Sequence, residues 1–222
     1  MILAVTALGY DATQTGGYDL AAAVYRHENL TKQGNNGVIY ALLALDSGNY
    51  QTPADALWTR EKLVAYLLAQ QNDDGGFALV KASPSDVDLT AMAVQALAPY
   101  QAQAKVREAT ERALGYLSQA QQADGGFANG GVSNGESAAQ VLLALTALGI
   151  DPLTDGRFIK DKTTLWDQVL SYQLADGTFC HTRGGASDEL ATEQGLLALT
   201  AMARFLQEGT GIFTGFAIQS TA

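Results

Sequence analysis

The amino-acid sequence predicts an all-α fold made of repeated helical hairpins, and three observations carry that prediction. One heptapeptide is written three times: Gln71-Asn72-Asp73-Asp74-Gly75-Gly76-Phe77, Gln121-Gln122-Ala123-Asp124-Gly125-Gly126-Phe127 and Gln173-Leu174-Ala175-Asp176-Gly177-Thr178-Phe179. The Phe positions of this Q-x-x-D-G-[GT]-F pattern lie 50 and 52 residues apart, the spacing of a repeat architecture. Segments apolar on nearly every face alternate with segments apolar on one face only. No strand pattern of any length competes with them.

Five Ala/Leu-rich stretches, residues 1–9, 36–46, 86–98, 136–149 and 189–206, place Ala4, Ala44, Ala96, Ala144 and Ala198 at equivalent positions, spaced by 40, 52, 48 and 54 residues. In Thr90-Ala91-Met92-Ala93-Val94-Gln95-Ala96-Leu97 apolar side chains point in almost every direction, so this class of helix must be covered all round. These are inner helices. Between them, roughly residues 18–30, 57–70, 103–120 and 162–173 are amphipathic: Val106, Ala109, Ala113, Leu114 and Leu117 share one face, Arg107, Glu108, Glu111 and Arg112 the other. These are outer helices, wet on one side.

The heptapeptide then reads as the stop of an outer helix. Asp-Gly supplies a residue that tolerates positive φ, and the Phe packs back on the turn just left. Phe77, Phe127 and Phe179 are therefore expected to be buried against outer-helix ends. Pro53, Pro84, Pro99 and Pro152 all fall in connections. Residues 1–208 form one domain on this reading, and residues 209–222, with Ile212, Phe213, Phe216 and Ile218, a tail or the start of a following domain. Leu3 to Asp11 nearly repeats Leu143 to Asp151, which is the second half of a longer helix. Met1 thus begins in mid-element, and the expectation is a fragment incomplete at its N-terminus.

At 222 residues the chain can bury a sizeable core. Thirteen Lys and Arg against 23 Asp and Glu leave a formal charge of −10 with no basic cluster, which argues against nucleic acid as a partner. The single Cys180 excludes an internal disulfide framework. No apolar run is long enough for a transmembrane segment, and no signal peptide opens the chain.

Periodicity alone does not choose between an open solenoid and a closed barrel. The motif does: Q-x-x-D-G-[GS]-[FW] at the end of outer helices resembles the prenyltransferase and squalene oxidase repeat of triterpene cyclases, protein prenyltransferase β-subunits and the α-domain of cobalamin carriers. The resemblance implies an α/α toroid, an inner ring of helices inside an outer one. Ser137-Ala138-Ala139-Gln140, Ala147 to Pro152, Asp155-Gly156-Arg157-Phe158 and Ala191-Thr192-Glu193-Gln194 are similar to bacterial surface proteins that carry these repeats. The fold itself hosts cyclases, transferases and binding proteins.

Asp86-Val87-Asp88-Leu89-Thr90 is similar to the acidic motif of squalene-hopene type cyclases, Asp-x-Asp-Asp before Thr, whose middle Asp protonates an alkene or epoxide. Asp86 and Asp88 match it and Leu89 replaces the last Asp; the competing reading is helix capping. A cyclase also needs aromatic faces to stabilise carbocations, for which the inner-helix region offers Tyr40 and, near a helix end, Tyr100. Zinc, which the resemblance to prenyltransferases would imply, is not expected, because Cys180 and His181 are adjacent and His27 is remote; they read as a packed thiol and a loop residue. Asp151 to Lys162 lacks the middle acidic position and the final Glu of a calcium loop and reads as a turn.

One constellation remains. Aligning the inner helices superposes Asn36, Asp88 and Glu136, with Tyr40, Met92, Gln140 and Gln194 one turn later and Glu193 beside the last. In a toroid these residues line one mouth of the central cavity, as a polar ligand site or as hydrogen-bonded braces between helices. The expectation is a non-catalytic, extracellular or cell-wall-associated ligand-binding or interaction module of a bacterial surface protein, without cofactor or metal, taking a small molecule or surface partner at Asn36, Tyr40, Asp88, Glu136, Gln140, Glu193 and Gln194. The alternatives are a terpene cyclase-like isomerase with Asp88 as general acid and a corrinoid-binding domain.

Overall fold

A computed structural model describes residues 1–216 and Ile218, and among them nine α-helices: α1 (Ile2–Ala7), α2 (Leu20–Tyr25), α3 (Asn35–Ser47), α4 (Arg60–Gln70), α5 (Val87–Leu97), α6 (Ala104–Ala120), α7 (Gly135–Ala147), α8 (Leu165–Leu170) and α9 (Glu189–Glu208). The odd-numbered helices form an inner row in which α3 packs on α1 and α5, and α7 on α5 and α9. From outside, α4 covers α3, α6 covers α5 and α8 covers α7. This is an α/α toroid. The two helix classes bury as their patterns require: α3 is buried along most of its length, whereas α6 buries Val106, Ala113, Leu114 and Leu117 and leaves Arg107, Glu108, Glu111 and Arg112 in water.

Two outer helices are shorter than their sequence pattern. Past α2, the His27 ring nitrogen accepts the Asn29 amide at 3.0 Å and the His27 carbonyl accepts Trp58 Nε1 at 2.9 Å, so the backbone leaves helical pairing and resumes as a 3-10 turn at Leu30–Gln33. For α8, a capping box between Thr164 and Asp167 sets a late start. The structure also adds a small hairpin, β1 (Ala128–Asn129) and β2 (Val132–Ser133). Gly130 and Gly131, at φ 57° and 83°, supply the positive-φ pair that a two-residue turn requires.

Inner helices start alike. Asp86, Asn134 and Asp188 each accept the backbone N–H three residues on, at 2.9, 2.8 and 2.9 Å, capping α5, α7 and α9. The heptapeptide delivers the chain to these caps: Phe77 and Phe127 are completely buried and Phe179 is 3% exposed. Phe77 N and Phe179 N donate to Thr90 and Thr192 Oγ1, at 2.8 and 3.0 Å, which hangs each Phe on the first turn of the next inner helix. Three inner helices thereby present their N-termini at one end of the ring. At the other end residues 209–216 fold back on the toroid, with Ile212 buried. Ala217 and residues 219–222 of the tail lie outside the described residues.

Candidate functional site in the central cavity

All five inner helices contribute to one central cavity of about 500 Å³: Ala4 from α1, Tyr40 from α3, Met92 from α5, Gln140 from α7 and Gln194 from α9. Leu3, Leu43 and Leu197 make much of its wall apolar. An amide chain crosses that wall, with Gln95 Nε2 donating to Gln140 Oε1 at 2.9 Å and Gln140 Nε2 to Gln194 Oε1 at 2.6 Å. It ties α5, α7 and α9 together. Lining residues on α9 run from Glu193 to Arg204, a depth of ~16 Å at ~1.5 Å per residue.

The predicted constellation separates into two levels. Tyr40, Gln140, Glu193 and Gln194 line the cavity itself. Asn36, Asp88 and Glu136 sit one turn earlier, at the helix starts, and are not among the residues that line the cavity. Burial, and the charge of Glu193 beside it, push the Tyr40 hydroxyl above its ordinary pKa. Asn36 Oδ1 is buried without a partner. Glu136 accepts from, or pairs with, His181 Nδ1 at 2.9 and 3.1 Å, and this contact holds the imidazole above its usual pKa. His181 is thus a loop residue with a definite partner, while Cys180 is buried and its thiol faces the Tyr172 carbonyl at 3.3 Å.

Asp86 and Asp88 divide the two roles the sequence left open. Asp86 is the cap of α5, and Asp88 is therefore free of capping duty. Asp88 Oδ2 accepts Asn129 Nδ2 at 2.6 Å, and Oδ1 is buried with no hydrogen-bond partner. Burial raises the Asp88 carboxyl above the ordinary carboxylate range; the polar groups of Asn129 and Ser137 oppose the rise, and the charges of Asp86 and Glu136 add to it. Ser137 Oγ is itself buried with no well-formed hydrogen bond. A carboxylic acid so placed keeps its proton to higher pH than a solvated one.

At the opposite end the wall is aromatic. Phe213 and Phe216 line the cavity beside Ile212, and the Arg204 guanidinium lies 5.7 Å from the Phe216 ring centroid while donating to Glu208 at 2.9 Å. Tyr100 takes no part: its hydroxyl donates to Asp46 Oδ2 at 2.8 Å, away from the cavity.

With this geometry established, comparison with known proteins is decisive for the family. A model of the prenyltransferase alpha-alpha toroid domain matches residues 17–203. The chain belongs to that family. The toroid is also similar to a drimenyl diphosphate synthase of Streptantibioticus cattleyicolor, 33% identical over 152 residues that cover 64% of this chain and 28% of the relative. A second drimenyl diphosphate synthase, of Streptomyces showdoensis, is 33% identical over 135 residues, 56% of this chain and 25% of that protein. The chain thus spans about a quarter of the length of these relatives. Among solved structures, Candida albicans protein geranylgeranyltransferase-I complexed with GGPP matches at a TM-score of 0.56 with 18% identity, over 85% of this chain and 52% of that one, a likeness of fold.

These relatives overturn the expectation of a non-catalytic, extracellular cell-surface module: they are synthases, and the cyclase-type alternative is the one they favour. The sequence pattern around Leu89 could not show the burial and the partners of Asp88, which come from elsewhere in the chain. Asn129, His181, Arg204 and the two tail phenylalanines were not singled out as site residues. Asn129-Gly130-Gly131 was a legible turn signal for the hairpin, whereas no local pattern announces the other contacts.

Proposed function

We propose that the toroid holds an isoprenoid chain in its central cavity and that Asp88 protonates an alkene of that chain, the isomerase chemistry of a terpene cyclase. The observation that carries this reading is Asp88 itself: a buried carboxyl with one unpartnered oxygen and a raised pKa, one helical turn before Met92, which lines the largely apolar cavity. In the reaction the Asp88 O–H bond breaks as a C–H bond forms at the alkene, and a neighbouring double bond closes a ring on the resulting cation. A proton then passes from a carbon beside the final cation to water, and Asp88 regains one from solvent, so the product keeps the starting formula. Tyr40, Phe213 and Phe216 supply ring faces along the cavity, where a cation is better stabilised than by alkyl groups alone. Similarity to two drimenyl diphosphate synthases supports the same class of substrate.

The test is incubation of the full chain with farnesyl diphosphate and with squalene, followed by mass spectrometry for a cyclic product of unchanged formula. Asp88→Asn is expected to lower the rate by about 10²-fold or more, as for loss of a positioned general acid. Asp86→Asn keeps a capping side chain and should leave turnover nearly intact. Product formation indifferent to Asp88→Asn would overturn the proposal. An independent readout follows from the raised carboxyl: its ionisation costs the fold stability as pH rises from the unfolded value of about 4 toward the folded one, so Asp88→Asn should raise the Tm at neutral pH but not below pH ~3.

A further inference from the structure

We infer that residues Gly209–Phe216 are the floor of the cavity and that Phe216 and Phe213 set the length of apolar chain it accepts. The inference deepens the cavity reading above and rests on it. The segment leaves α9 at Gly209, the left-handed cap of that helix, and runs past the C-terminal ends of α5 and α7, where Ile212 and Phe213 line a second, smaller pocket together with Ala98, Pro99, Ala147 and Leu148. Its seat on α7 is close: a Cβ on Gly211 would stand 2.8 Å from the Ala147 Cα. Ile212 is only 7% exposed, so the crossing is packed and not laid over the surface.

From that seat Phe213 and Phe216 turn their rings into the central cavity, at the end away from Asp88. Arg204 fastens the crossing from within α9, its NH1 donating to the Ile212 carbonyl at 3.4 Å and its guanidinium lying 5.7 Å from the Phe216 ring centroid. The inner helices at this level offer side chains such as Leu43, Leu197 and Thr200, which form walls. Closure across the axis comes from the tail. A chain lying along the axis from the level of Glu193 therefore meets the phenyl rings within ~16 Å, and removing one ring lengthens the space available to it.

The experiment is calorimetric titration of the full chain with geraniol, farnesol and geranylgeraniol, and in parallel with straight-chain alkanols of matching length. For Phe216→Ala the ratio of geranylgeraniol to farnesol affinity should rise by about tenfold relative to the unsubstituted chain, the scale of a few extra buried methylenes. Phe216→Trp should move the ratio the opposite way, and Phe213→Leu should act weakly in the direction of Phe216→Ala. If Phe216→Ala lowers the Tm so far that it does not fold, Phe216→Leu and Phe216→Trp carry the comparison. Length profiles that stay parallel across these variants overturn the floor. Length-selective capture of alkanols that shifts with Phe216, without capture of isoprenoids, upholds the floor and refutes the isoprenoid reading; no capture of either series refutes both.

Discussion

The first and third copies of the heptapeptide share the Q-x-x-D-G-[GT]-F pattern and differ in what they face. Gln71 donates to the Gly75 carbonyl at 2.8 Å and to the Ala109 carbonyl at 2.7 Å, and accepts from Arg112, so the first copy is sewn to the next outer helix. Gln173, its counterpart in the third copy, is exposed. The local turn is the same in both: Gly75 and Gly177 stand at φ 88°, and Asp74 and Asp176 each accept the N–H two residues on, at 2.9 and 3.0 Å. The motif thus has a local part, which makes a helix stop anywhere, and a relational part, which needs a neighbour. The second copy is intermediate, since Gln121 donates to Gly125 and Phe158 but its Oε1 is buried without a partner.

Substitution at the glycines separates the two parts most sharply. A Cβ on Gly75 would meet the Arg112 carbonyl oxygen at 2.5 Å, while one on Gly177 would meet nothing within 4 Å. Gly177→Ala is expected to cost about 1 kcal/mol from the left-handed backbone alone, and Gly75→Ala about 3 kcal/mol or more because backbone must also move. Urea unfolding of the two variants would show this; equal losses would mean that the neighbour is irrelevant. Next in size, Gln71→Ala removes the side-chain bonds to the Gly75 and Ala109 carbonyls and should cost about 1–3 kcal/mol, against within about 0.5 kcal/mol for the exposed Gln173→Ala.

The smallest effect is electrostatic. Asp124 is held below the usual carboxylate range first by the Gly126 amide and then by Arg183, whereas Asp176 is lowered by Thr178 alone among side chains. A carboxyl depressed in the folded state stabilises the fold above its unfolded pKa and loses that contribution as pH falls through the folded one. Arg183→Gln should therefore raise the Asp124 titration midpoint in an NMR pH series and leave Asp176 where it is. A matching shift at Asp176 would erase the distinction between the copies.

This division also explains what was legible in the sequence. Helix class and order follow from short-range periodicity, and the helix stop from Asp-Gly, because both depend on residues a few positions apart. Tyr40, Gln140 and Gln194 were legible as cavity residues because repeats preserve register between helices. The environment of Asp88 was not: Asn129 reaches it from a hairpin 41 residues later, and burial is a property of the folded chain. His181 finds Glu136 across 45 residues in the same way. Leu89 argued against an acid in the local pattern, and only the folded chain shows Asp86 taking the cap and leaving Asp88 free.

The amide chain of the cavity wall has a direction. Gln95 Nε2 also donates to the Gln140 backbone carbonyl at 3.2 Å, and a carbonyl only accepts, so the Gln95 amide has no choice of orientation. That choice passes on: Gln140 must offer oxygen to Gln95 and nitrogen to Gln194, and Gln194 must receive with its oxygen. One peptide group in α7 thereby decides which way a glutamine on the next helix points, and the sequence of forced orientations ends with an N–H pair at Gln194 on the cavity wall. Reversing that end requires turning three side chains at once, so this part of the wall keeps its polarity as a unit, with a hydrogen-bond donor at its end.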